Sequence, residues 1–160
     1  MVHAIESGIF VLELQEPTDL SALLEWEGFA VDGNTDGHLG LGFETVTDAL
    51  KLDPLTDNEF ESLIARNALT GGALRSILPL KADGYFRAHL APQSGEFEAG
   101  FAIALVLNGS GSVTFANAPA MEITQGDALV IPHAAGNYSI SGANVIVCRP
   151  PLAELARVAI

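Results

Sequence analysis

Val106-Leu-Asn-Gly109-Ser-Gly111-Ser-Val113, followed by Thr124-Gln-Gly126-Asp127-Ala-Leu-Val-Ile131-Pro132, decides how this chain folds. Each stretch pairs a run of β-forming residues with glycine punctuation. Gly109, Gly111 and Gly126 supply turn geometry that β-branched residues resist. Pro132 closes the second run at a strand end, where a missing N–H costs little. The same pattern extends outward from Leu74 to Arg149. Candidate strands are Ile77–Leu80, Tyr85–Leu90, Phe97–Leu107, Ser112–Phe115, Met121–Ile123, Ala128–Ile131, Asn137–Ile140 and Ala143–Arg149. Turns rich in Gly, Asn, Pro and Asp separate them at short, regular spacing, which is the mark of an antiparallel sandwich or barrel.

Upstream the signals are mixed. Ile9–Gln15 is apolar and rich in β-formers and predicts a mostly buried strand. Glu16-Pro-Thr-Asp19 is a turn. Leu20–Glu27 predicts a second strand, although Ser21–Glu25 also fits a helix. Residues 32–42 hold Gly33, Gly37, Gly40 and Gly42 among acids and form a loop. That loop lacks the Gly-Lys-Ser/Thr pattern of a phosphate cradle, and its acids would repel a phosphate. Phe43–Lys51 predicts a short helix. Thr56-Asp-Asn-Glu59 is a capping box that opens another, with Phe60, Leu63 and Ile64 on one face. The tail from Pro151 to Ile160 fits a short helix or loop packed outside.

Composition narrows the function. The chain has 160 residues, 49% of them apolar and 17% charged, as expected of one globular domain with a sizeable core. Twenty acids against seven bases give a formal charge of −13. Binding nucleic acid requires Lys and Arg to displace counterions from phosphates, so no nucleic-acid partner is expected. Docking on an anionic membrane is disfavoured for the same reason. The single Cys148 excludes an internal disulfide and a cysteine zinc cage. In the apolar run Val145-Ile-Val-Cys148 it reads as a buried, inert thiol. The first residues carry no Lys or Arg ahead of an apolar stretch, and the longest apolar run, Phe101–Leu107, is too short to span a bilayer. A cytoplasmic location is expected.

The two glycine-marked stretches resemble the cupin pattern, a double-stranded β-helix or jelly roll. A second set of residues resembles the type I mannose-6-phosphate isomerase family: Val2-His3-Ala4-Ile5, then Glu13-Leu-Gln15-Glu-Pro-Thr-Asp19 and Leu24-Glu-Trp26. The resemblance implies an all-β cupin with a short helical insertion. Residues 1–30 would be the terminal strands of a catalytic-type cupin, 31–72 a loop and helical insert, and 73–160 a C-terminal non-catalytic cupin. It implies zinc as the family's cofactor, His3 as a metal ligand, and Glu13 and Asp19 as substrate-pocket carboxylates. A carboxylate can move a proton between C1 and C2 of an aldose. The bland role for Asp19 is to cap its turn, and Trp26 reads as core or interface.

The resemblance also has gaps. The family's other zinc ligands lie upstream of the position of His3, and a zinc site needs three or four protein ligands. The chain therefore reads as the C-terminal part of such an isomerase, inactive by itself and holding no zinc alone. Where the family has an Arg four residues after the Asp, this chain has Leu23, and no basic residue occurs among residues 1–50. A phosphate dianion wants Arg or Lys, so the substrate is a sugar or a sugar phosphate, undecided between them. The alternative is a stand-alone, metal-free cupin that binds a small carbohydrate-like ligand or serves as an oligomerisation module. An unpaired Ile9–Gln15 edge would recruit a second copy, giving a homodimer.

Counting from Gly109 and Pro132, the metal-ligand positions of a cupin fall on Glu96, Glu98, Ala102 and Asn137. Glu96 and Glu98 share one face of a strand. Two carboxylates and an amide fall short of the roughly six oxygens of a hard-cation site, so these acids read as solvated. His38, His89 and His133 have no ligand spacing among them and read as surface or capping residues. Arg87 and His89 share a sheet face, where a small anion could sit.

Overall fold

The computed structural model describes residues 4–15, 21–50, 52–64 and 75–152. His3 and Asp19 lie outside the described residues, as do the Glu16–Asp19 turn and most of the tail. The chain divides into two compact units, Met1–Pro54 and Leu55–Ile160.

In the first unit the strand expected over Ile9–Gln15 does not form. The segment has no regular structure, and Ile9 and Phe10 are 60% and 77% exposed. Residues 21–27 are not a strand either. A strand persists only where a neighbour completes its hydrogen-bond ladder, and no ladder is present over these described residues; the Leu23 N–H makes a single bond to the Gly37 carbonyl at 2.8 Å. The edge-strand argument for a homodimer therefore has no strand to rest on. What does form is local. Helix α1, Gly33–Asp36, is capped by Asp32, whose carboxylate accepts from the Asn34 N–H, inside the stretch expected to be loop only. Helix α2 spans Phe43–Asp48, close to expectation. Trp26 stacks on Phe43 at 5.6 Å, and His38 meets Phe43 edge-on at 5.2 Å. A side chain at Gly33 would collide with the Trp26 indole, so a glycine is required there.

The second unit opens with α3, Asp57–Ser62. The capping box is present: the Glu59 N–H donates to Thr56 Oγ1 at 3.3 Å and the Thr56 N–H to Glu59 Oε2 at 2.9 Å. The expected apolar face is not buried, since the helix stops at Ser62 before a second turn can build a stripe.

Six antiparallel strands follow: β1 Arg75–Ser76, β2 Arg87–Phe97, β3 Ala102–Phe115, β4 Met121–Thr124, β5 Ala128–Ile131 and β6 Tyr138–Arg149. Their order is β1-β2-β6-β3-β4, with β5 also paired to β3. The all-β expectation with short helices holds, but several expected strands are fused. Ser112–Phe115 continues β3, and Asn137–Ile140 joins Ala143–Arg149 in β6. Gly109 and Gly111 make no hairpin. They let two long strands bulge past each other, with register shifts between Val106 and Asn108 and between Gly109 and Ser112. A Cβ on Gly111 would overlap the Ser141 carbonyl oxygen. Gly109, paired with Ala143, and the neighbouring Gly142 hold φ of +83° and +88°, which side chains resist. Bulges of this kind bend strands around a core. Gly126 does turn, as expected. The Thr124 N–H donates to Asp127 Oδ2 at 2.8 Å, and the Asp127 carbonyl accepts from the Val106 N–H at 2.9 Å.

Alternation sets one inward row on each long strand. Val106, Val113, Ile131, Ile140, Val145 and Val147 are the largest fully buried side chains. No described helix is long and apolar enough to cross a membrane.

Candidate functional site: a cationic patch inside the roll

The inward row of β6 runs Tyr138, Ile140, Ala143, Val145, Val147 and then Arg149. That of β2 runs Phe97, then past the bulge Ala91, His89 and Arg87. Register ties them together: Phe97 faces Tyr138, Ala91 faces Val145, His89 faces Val147 and Arg87 faces Arg149. Val145, Val147 and Ala91 are fully buried, so Arg87, His89 and Arg149 share the interior face of the sheet.

Backbone carbonyls hold both guanidiniums. Arg87 Nε donates to the Pro150 carbonyl at 2.9 Å. Arg149 Nη2 donates to the Glu98 and Ala99 carbonyls at 3.1 and 3.3 Å, on the β2–β3 turn. A Cβ on Gly100 would collide with that same Nη2, so the turn accepts Arg149 because glycine is there. Arg149 Nε, His89 Nδ1 and the Tyr138 hydroxyl are all buried with no hydrogen-bond partner among the described residues.

Burial, and then the charges of Arg87 and Arg149, push the His89 pKa below its ordinary value, with Asp83 opposing them weakly. The imidazole is therefore neutral near pH 7. Burial and then Arg149 lower the Arg87 pKa, again opposed by Asp83. Burial pushes the Tyr138 phenol up to about 12, against a smaller pull from Arg149. Tyr138 is 3% exposed and stacks on Phe97 at 5.0 Å. The chemistry of this patch is donation: a positive, half-buried surface with unused N–H and O–H groups, and no activated nucleophile among them. Burial raises the pKa of the Cys148 thiol, in keeping with an inert residue.

The positions counted as metal ligands do not converge on one point among the described residues. Glu96 and Glu98 do share a face, but it is the exposed one. The inward residue between them is Phe97, packed on Tyr138, and Ala102 is fully buried in the core. Asn137 Oδ1 is engaged by the Ala99 N–H at 2.9 Å. Among the described residues no three His, Cys, Asp or Glu side chains are grouped to hold a metal. Glu96, Glu98, Thr114, Asn137 and Ser139 instead border an open surface groove of about 520 Å³.

Of the residues tied to isomerase chemistry, only Glu13 is described, as an exposed carboxylate in the irregular segment. His38 is a local clamp: its Nε2 bonds the Asn34 carbonyl at 2.9 Å, and its Nδ1 accepts from the Gly42 N–H at 3.2 Å. Arg87 and His89 were legible as a face-sharing pair. Arg149 was missed, because nothing in the spacing of residues 87 and 149 tells that they stand opposite each other. The available signal was scarcity, since Arg87 and Arg149 are two of only seven basic residues.

No protein-family model matches the chain, and no curated protein matches it. Solved structures do. A Neisseria meningitidis protein shares 17% identity, over 53% of this chain and 92% of that one, with a TM-score of 0.39. A cupin-2 domain containing protein from Shewanella frigidimarina shares 14% identity, over 60% of this chain and 93% of that one, with a TM-score of 0.38. A mutant phosphomannose isomerase from Salmonella typhimurium shares 17% identity, over 52% of this chain but 22% of that one, with a TM-score of 0.41. At these identities the likeness concerns fold alone and says nothing about substrate.

Proposed function

We propose that the chain is a cupin-type binding module that holds a small, carbohydrate-like polar ligand inside its β-roll without a metal. The observation that carries this is the trio of buried, unpartnered polar atoms on the interior face: Arg149 Nε, His89 Nδ1 and the Tyr138 hydroxyl. A buried polar group left unpaired costs about 1–3 kcal/mol. Three on one face favour a ligand that pairs them. Concave sites with a few convergent polar groups on apolar walls are the usual form of a small-molecule pocket.

A second reading rests on residues 1–26. His3-Ala4, Glu13 and Gln15–Asp19 support a chain that serves as the C-terminal part of a mannose-6-phosphate isomerase-like aldose–ketose isomerase. His3 would then be one ligand of a zinc held mainly by other polypeptide, and Glu13 and Asp19 would serve proton transfer.

One experiment separates the two. The purified full chain is analysed for zinc and assayed on mannose 6-phosphate and free aldoses, with and without added zinc. The binding reading expects no turnover in any condition. Turnover with stoichiometric zinc overturns it in favour of the isomerase.

A further inference from the structure

We infer that the ligand of the roll carries an oxyanion, a carboxylate or a phosphate, seated against Arg149, His89 and Arg87; this rests on the binding reading above.

The argument begins with charge. Arg87 and Arg149 are direct partners across the β2–β6 ladder, and like charges in that relation repel. Both lie half-buried on the inward face, where repulsion is screened less than between fully exposed charges. The chain has a formal charge of −13, with acids far outnumbering bases. Even so, among the described residues Asp83 is the one acid whose charge registers at both Arg87 and His89. The carbonyls of Pro150, Glu98 and Ala99 satisfy hydrogen bonds, but a carbonyl cancels no charge. A neutral sugar would pair donors and leave the two cations uncompensated. An oxyanion does both, because a guanidinium matches the geometry of carboxylate and phosphate oxygens.

The donors also match in kind. Arg149 Nε is a donor and nothing else. His89 Nδ1 becomes a donor in every state once the ring takes up a proton, which a neighbouring anion favours. The charged groups facing His89 are Arg87 on its own strand, Arg149 on β6 and Asp83 before β2. With the anion in place the balance around the ring tips from repulsion to attraction. Gluconate binding is therefore expected to tighten as pH falls through and below about 6.5, the ordinary histidine value.

The test is calorimetric titration of the full chain with gluconate, inorganic phosphate and glucose at matched ionic strength. The same titrations are run on Arg149→Met and Arg87→Met. Circular dichroism checks the fold of each. Arg149 anchors the β2–β3 turn and its loss could disturb the fold, so Arg87→Met is the second arm. The expected result is saturable binding of gluconate or phosphate, with glucose about tenfold or more weaker, and a similar loss in Arg87→Met. Glucose binding as tightly as both anions, unaffected by Arg87→Met, overturns the oxyanion and leaves the binding reading standing. Silence with all three probes overturns both.

Discussion

Arg87 on β2 and Arg149 on β6 stand opposite each other on the interior face of the roll, with His89 two residues along from Arg87 on the same face. Burial of the ring, and then their joint field, push the His89 pKa below its ordinary value. Removing one charge relaxes that. In Arg87→Met the His89 pKa is expected to rise toward its ordinary value, followed by NMR titration of the imidazole. An unchanged pKa would mean that burial acts alone.

Gly100 makes room for the Arg149 guanidinium. In Gly100→Ala the added methyl meets the far end of a flexible side chain, which can move aside. Stability is expected to change by less than about 1 kcal/mol, while oxyanion binding weakens about tenfold because the donor has shifted. Denaturant unfolding and calorimetry on the same sample check the two halves. A large stability loss would show that the β2–β3 turn depends on glycine for its own sake.

The folded protein should lose stability as pH falls. His89 has a lowered pKa in the fold, so below about pH 6.5 the unfolded chain binds the proton more readily and is favoured. His89→Gln should flatten that part of the acid limb. At the alkaline end the sign reverses: Tyr138 keeps its proton to about pH 12, while the unfolded phenol ionises near pH 10. Stability present below about pH 10 should therefore decline between those values. Melting temperatures across the pH range, beside the tyrosinate absorbance, report both effects.

The bulges of the roll make a graded series. Gly111→Ala drives a Cβ into the Ser141 carbonyl oxygen, backbone against backbone, and is expected to cost more than about 2 kcal/mol. Gly126→Ala has open space around it but a φ of +92°, so its cost should be about 1–2 kcal/mol. Gln93 sits in the β2 bulge with a φ of +66°, and Gln93→Gly should stabilise by up to about 1 kcal/mol. Urea unfolding should place the three in that order.

Thr56 caps α3 through the Glu59 N–H. Thr56→Ala is expected to cost about 1 kcal/mol, measured by the same unfolding transition. No measurable effect would mean that the short helix unfolds independently of the roll.

How much of this was legible without coordinates varies along the chain, for physical reasons. The capping box at Thr56 and the Gly126-Asp127 turn are local chemistry, and both appear where the residues placed them. Ile9–Gln15 has the composition of a strand, but composition provides no pairing partner. Gly109 and Gly111 were legible as special backbone positions; whether they turn or bulge is decided by Ser141 and Ala143 on a strand some thirty residues later. The same holds for the site. Arg87 and His89 share a face by simple alternation, whereas Arg149 joins them only through antiparallel register. Glu96 and Glu98 also share a face, but alternation alone does not say which face is inside. Phe97, stacked on Tyr138, decides that.

The most direct measurement is nitrogen-15 NMR of the arginine Nε and histidine ring groups while gluconate is added to the full chain. Binding inside the roll predicts saturable shifts at Arg149 Nε and the His89 ring, with the backbone amides of Glu96 and Thr114, on the groove, undisturbed. Shifts confined to those groove residues, with Arg149 and His89 silent, would contradict it.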